Sequence, residues 1–152
     1  MKARLQICAR KGFDAVEPDN IDAWSNRTGF PISAPEQLNY DEWVAVQAHA
    51  LGLAVLQKND LGQVRSLERY FDGVLDEQCN ESSECSLAAP YLAARKPVLN
   101  AEYNLSPAEF CRADNAAGIM GARLSVELDG SVFEPCWAPG SKSSSSTGPR
   151  PR

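Results

Sequence analysis

Short Val- and Leu-rich runs that end in acidic and amide residues recur along this chain, each set off by a helix-like stretch. They are Asp14-Ala-Val-Glu17-Pro-Asp19-Asn20, Leu53-Ala-Val-Leu-Gln57-Lys58-Asn59-Asp60, Gly73-Val-Leu-Asp76-Glu77-Gln78-Cys79 and Val98-Leu-Asn100-Ala-Glu102-Tyr103. Apolar runs of this length read as buried strands, and strands that alternate with helices form right-handed βαβ units around a parallel sheet. Parallel strands all point the same way, so their polar ends gather at one edge. In β/α enzymes that edge carries the active site, which here implies a rim of carboxylates.

The intervening helices carry their own punctuation. Ser33-Ala-Pro-Glu36 reads as a capping box, and Gly52 supplies a left-handed stop. Between them Tyr40, Trp43, Val44, Ala48 and Leu51 follow helical spacing and predict the buried face. Ser106-Pro107-Ala-Glu109 repeats the box, with Gly118 as its stop. Asp60 is placed to cap a helix over 61–70, with Val64, Leu67 and Phe71 facing inward. Further helices are expected over 86–95, around Pro90, and over 3–11, closed by Gly12. A weaker last strand is expected near 119–124.

The 152 residues make one domain, and the 43% hydrophobic content suffices for a core. A net charge of -5, with no cluster of Lys and Arg before the tail, argues against nucleic acid as a partner. No run of about 18 apolar residues is present, which excludes a membrane-spanning helix, and the first residues lack the apolar core of a signal peptide. With His49 as the only histidine and no CxxC spacing, neither a metal site nor a cofactor is expected. The five cysteines fit two disulfides, Cys79–Cys85 and Cys111–Cys136, with Cys8 left over. Five reduced, buried thiols are the alternative.

Five strands cannot close an eight-stranded barrel of about 250 residues. The chain opens in a helix with no strand before it, so we expect a partial (β/α)8 barrel lacking its first strands. That domain spans 1–138, followed by a disordered Ser/Pro-rich tail over 139–152.

The motifs resemble glycoside-hydrolase family 114. The likeness rests on Gly12-Phe-Asp-Ala-Val-Glu17-Pro-Asp19-Asn20, Thr28-Gly-Phe-Pro, Leu56-Gln-Lys58-Asn59-Asp60, Glu77-Gln78-Cys79 with Glu84-Cys85, and Asn100-Ala-Glu102-Tyr103. They occur in the family's order and spacing from about Arg4 to Cys136. The resemblance implies a TIM barrel, endo-α-1,4-polygalactosaminidase activity, a polysaccharide substrate and secretion. It places Asp19 and Glu77 as the catalytic carboxylates, Asp19 as nucleophile and Glu77 as acid/base. It also places Glu17, Asn20, Lys58, Asn59, Asp60, Gln78, Glu102 and Tyr103 along the sugar cleft. Two departures stand out: Val-Leu-Asp76 where the family usually has Val-Asn, and Arg123 near an expected lysine.

The residues alone support the same chemistry. Glycosidic cleavage needs one carboxylic acid to protonate the leaving oxygen and a second carboxylate as nucleophile or base. Crowding is expected to push one of the two upward in pKa, as an acid requires. A reading from another class remains beside it: a half-barrel that holds carbohydrate without cleaving it. Its open sheet edges would favour self-association.

Overall fold

The computed structural model describes residues 1–137; the tail expected over 139–152 lies outside them. The elements alternate as expected: α1 (Lys2–Arg10), β1 (Ala15–Val16), α2 (Ala34–His49), β2 (Ala54–Lys58), α3 (Val64–Leu67), β3 (Gly73–Glu77), α4 (Ala89–Ala93), β4 (Val98–Glu102), α5 (Pro107–Ala117) and β5 (Met120–Leu124). A short β6 (Phe133–Pro135), not foreseen from sequence, closes the series. The strands lie in chain order from β1 to β6; the first five are parallel and β6 runs antiparallel to β5.

That order is informative. A doubly wound sheet reverses its strand order partway and places helices on both faces. Here every right-handed crossover advances by one strand, so the helices stack on one face and the sheet curls as in a β/α barrel. The core sits between that face and the helices: Val55, Val74 and Val98 pack against Leu5, Ala45, Ala48, Val64, Leu67, Ala88 and Tyr91. Alternation then divides each strand. Gln57, Asp76 and Asn100 share the helix face with the valines, whereas Leu56, Lys58, Leu75, Glu77, Leu99 and Ala101 point the other way. Among the described residues β1 pairs only with β2, so the sheet is open.

The capping boxes form as read: Glu36 accepts the Ser33 N–H at 2.9 Å, and Glu109 accepts that of Ser106 at 2.7 Å. Gly52 and Gly118 take the left-handed conformation, at φ 75° and 81°. Val64, Leu67 and Phe71 are buried. Two helix expectations need correction. The buried stripe of α2 is Gln37, Asp41, Val44, Ala45 and Ala48, while Tyr40 and Trp43 lie 43% and 41% exposed. These two rings pack on each other with centroids 5.8 Å apart. Asp41 holds the buried place because its carboxyl accepts from Gln37 Nε2 at 2.8 Å, and burial raises its pKa to about 7. Asp60 does not cap: it is itself left-handed, φ 51°, and a 3-10 turn over Leu61–Gln63 precedes the single helical turn of α3.

Both disulfides form as paired above, and Cys8 is free. Cys79–Cys85 closes the loop after β3. Cys111–Cys136 ties α5 to the residue after β6. No described helix is long and apolar enough to cross a membrane.

Candidate active site

Three neighbouring strands bring their polar ends together. Asp19 follows β1, Lys58 ends β2 and Glu77 ends β3. The buried Lys58 ammonium lies 3.4 Å from Asp19 Oδ1 and in direct contact with Glu77 Oε2. The Tyr103 hydroxyl, just beyond β4, donates to Glu77 Oε1. Asn59 brackets Glu77 from both sides, its Oδ1 accepting the Glu77 N–H at 3.0 Å and its Nδ2 reaching Oε2 at 3.3 Å. Glu17, Asp19, Asn20, Asp22, Asn26, Lys58, Asn59, Glu77 and Leu128 line a cleft of about 310 Å³.

The chain turns sharply right after each functional residue, Asp19 in the loop beyond β1 and Lys58 and Glu77 at their strand ends. Asn20, Asn59, Asp60 and Gln78 all take positive φ, between 49° and 61°. Amide and acidic side chains tolerate this region better than other residues with a Cβ. The Asn59–Asp60 pair is clamped from behind: Gln57 Nε2 donates to the Asn59 and Asp60 carbonyls at 2.7 and 3.0 Å, and Gln57 Oε1 accepts from the Tyr91 hydroxyl at 2.8 Å. A buried polar pair, Gln57 and Tyr91, thus fixes the turn that holds Glu77.

The other residues implied by resemblance fall in four places. Asn20 sits at the cleft, donating to Asp19 Oδ2 at 3.0 Å. Gln78 turns to the rim and donates to Glu81 at 2.6 Å. Glu102 is fully buried: its Oε1 accepts the Asn80 N–H at 2.8 Å and Asn100 Nδ2 at 3.1 Å, beneath the loop that Cys79–Cys85 closes. Asp114 supports the same loop through Asn80 and Asn100 at 2.8 and 3.0 Å. The structure therefore does not bring Glu102 into the cluster around Lys58. Asp60 accepts from the Trp24 indole at 2.9 Å and faces a second cavity beside the cleft.

The charge states differ from the simple expectation of a raised acid. Burial pushes Glu77 upward, but hydrogen bonds from Lys58, Tyr103 and Asn59 outweigh it and hold the carboxyl below its ordinary value. The carboxyl that is raised in this cleft is Glu17, by burial with Asp19 and Glu77 adding, against the opposing pull of Lys58. Lys58 stays charged: its burial is overcome by Glu77, Asp19 and Glu17. Tyr103 is raised by burial and by its bond to Glu77, so it keeps its proton as a donor.

Residues missed from sequence include Gln57, whose parity with Val55 and Val74 was the available signal, and Asp76, buried on the helix face with its pKa raised to about 7 by burial.

A singly wound β/α sheet with paired carboxylates at its C-terminal rim defines a site of the kind glycosidases use. The chain belongs to glycoside-hydrolase family GH114, whose model matches residues 1–137. Among solved structures, Aspergillus fumigatus Ega3 in complex with galactosamine aligns over 90% of this chain at 24% identity, with a TM-score of 0.81. The glycoside hydrolase domain of PelA from Pseudomonas aeruginosa aligns over 84% at 13% identity, with a TM-score of 0.58. The chain spans 59% of the length of each of these structures. No curated protein matches the sequence.

Proposed function

We propose that this chain is a secreted endo-acting glycoside hydrolase that cleaves α-1,4-linked galactosamine polymer with Asp19 and Glu77. The observation that carries this reading is the shared Lys58 ammonium, which draws a carboxylate from β1 and one from β3 to either side of one cleft. Two carboxylates that share one ammonium suit a retaining route, in which the second is the nucleophile, better than an inverting one, which leaves room for a water between them. Asp19 is exposed to the cleft and attacks the sugar carbon as nucleophile. Glu77 protonates the leaving oxygen, then activates water in the second step.

The three donors around Glu77 hold it in the ionised form required by that second step. The first step draws on its protonated fraction, which grows as pH falls, so turnover belongs on the acidic side of neutrality. Glu17, Asp19, Asp22 and Glu77 face the cleft against one lysine, a field that attracts a cationic amino sugar. The two disulfides suit an oxidising compartment.

Release of reducing ends from the polymer tests the reading. Asp19→Asn and Glu77→Gln are each expected to lose turnover by orders of magnitude while binding persists. Near wild-type turnover in either variant would sink the assignment. The open sheet favours one further reading, a half-barrel that holds carbohydrate without cleaving it. Oligomer binding by the unaltered chain with no bond cleavage would select it.

A further inference from the structure

Helix α2 packs against α1 and α3, and its buried stripe faces the sheet. Among the described residues its outward face is open to solvent. An outward helix face ordinarily carries charged and polar side chains. Here it carries Tyr40 and Trp43, three residues apart and therefore neighbours on the helix surface. The rings lie 30° from parallel with centroids 5.8 Å apart, so they form one shallow platform. Single exposed apolar residues are ordinary on a protein surface. Two large rings held against each other, with the exposed Val46 three residues further on, make a patch.

Position and charge together select what this patch meets. Gln63 Nε2, in the turn after β2, donates to the Ala34 carbonyl at 2.9 Å, so α2 begins at the carboxylate rim. The loop that leads into α2 leaves from Asn26, which lines the cleft. At a rise of about 1.5 Å per residue, Tyr40 and Trp43 stand about 9 and 14 Å along the helix from Ala34. A polymer leaving the cleft past Asn26 can run down this wall, whereas a short oligomer seated between Asp19 and Glu77 stays above it. The charge is of one sign. α2 contains no Lys or Arg, Glu36 stands one turn before Tyr40, and Glu42 adjoins Trp43. His49, at the far end of α2, is engaged by Asp72 at 2.9 Å. Aromatic faces bordered by carboxylates attract ammonium groups through the ring quadrupole, and they cover the apolar face of a pyranose.

We propose that Tyr40 and Trp43 form a secondary carbohydrate platform on the outer wall, holding one stretch of a cationic amino-sugar polymer while another stretch occupies the cleft. The proposal rests on the amino-sugar reading above and adds to it a dependence on polymer length. Two weak contacts on one long molecule reinforce each other, whereas a short oligomer makes only the contact in the cleft.

Binding of a long α-1,4-linked galactosamine polymer, by brief cosedimentation with the full chain, and of the corresponding trimer, by calorimetry, tests it. Trp43→Ala is expected to weaken polymer binding about three- to tenfold and to leave trimer binding unchanged. Tyr40→Ala is expected to lose about two- to fivefold with the same selectivity, and decides the matter if Trp43→Ala fails to fold. Trp43→Phe, which keeps an aromatic face, is expected to recover most of the loss. Polymer binding equal to that of the unaltered chain in both alanine variants would overturn the platform while leaving the amino-sugar reading intact. An equal loss on polymer and trimer would also overturn it, because the rings would then act through the cleft. Self-association by light scattering that Trp43→Ala abolishes, with polymer binding unchanged, would make this face a contact between copies of the chain instead. Binding of neither polymer nor trimer by the unaltered chain would remove the amino-sugar reading, and the platform with it.

Discussion

Asp76→Asn makes a sharp test of the charge states inside the fold. In the unfolded chain Asp76 releases its proton near the ordinary aspartate value of 3.8, whereas in the folded chain it keeps the proton until about pH 7. The folded state therefore binds more protons than the unfolded state across that window, and stability contributed by this group falls as pH rises through it. A gap of roughly three pH units at about 1.4 kcal/mol each gives ~4 kcal/mol as the upper bound, and relaxation around an ionised side chain lowers this to about 2–4 kcal/mol. Asparagine carries no such dependence and nearly matches the neutral acid in shape. The variant should match the parent chain at pH 4 and exceed its stability by about 2–4 kcal/mol above pH 7.5. Asp41 and Asp60 titrate in both proteins and cancel in the difference. Urea denaturation of the two chains at pH 4, 6 and 8 gives the result directly. A stability difference that stays flat with pH would mean that Asp76 is ionised throughout, with its charge compensated, and the reasoning would fail.

Lys58→Met removes the ammonium that helps hold Glu77 low, so the Glu77 pKa rises; if Glu77 is the proton donor, the alkaline limb of the pH–activity profile moves to higher pH, whereas an upward move of the acidic limb would reverse the two catalytic roles. Removing the Cys79–Cys85 bridge by a double serine substitution should cost about 2 kcal/mol and removing Cys111–Cys136 about 3.5 kcal/mol, in proportion to the loops they close, as read by thermal melts against the intact chain; equal costs would show that loop length is not the governing factor. Gly121→Ala should destabilise by about 1–3 kcal/mol or more, because its Cβ would sit 2.1 Å from Asp114 Oδ2 and 3.0 Å from Phe110; an unchanged melting temperature would contradict that packing. With an open sheet and half-buried Leu56, Leu75 and Leu99 on its uncovered face, the chain is expected to self-associate at micromolar concentration; a monomer by light scattering with a sharp two-state melt would refute this.

What was legible in the sequence was mostly local. Ser33 with Glu36, Ser106 with Glu109, and the glycines at 52 and 118 encode helix ends within a few residues of themselves, and the structure follows them. The strand runs were equally plain because Val and Leu repeat between the same breakers. What escaped depends on partners far along the chain. Asp60 is a strong capping residue in isolation, yet Gln57 and Tyr91 fix its backbone in the left-handed region and Trp24 takes its carboxyl. Tyr40 and Trp43 have the right spacing for a buried face, but Gln37 and Asp41, by bonding to each other, occupy it. β6 is three residues long and exists only through its pairing with β5. Asp76 and Glu77 are chemically alike neighbours; the pleat alone sends one under the helices and the other toward the open face.

The left-handed turns that follow Asp19, Lys58 and Glu77 have a consequence for how such a site diverges. Lys58 and Glu77 leave the sheet before their loops begin, Asp19 three residues after β1, and the reversal behind each is made by one or two residues. Loop length and composition beyond Asn20, Asp60 and Gln78 are thereby uncoupled from the position of the reacting groups. Insertions there would reshape which polymer is admitted while the carboxylates keep their spacing. Lengthening β3 by one residue, by contrast, would exchange its two faces and move Glu77 out of the cleft. Substrate choice in this architecture is free to drift; the reaction is not.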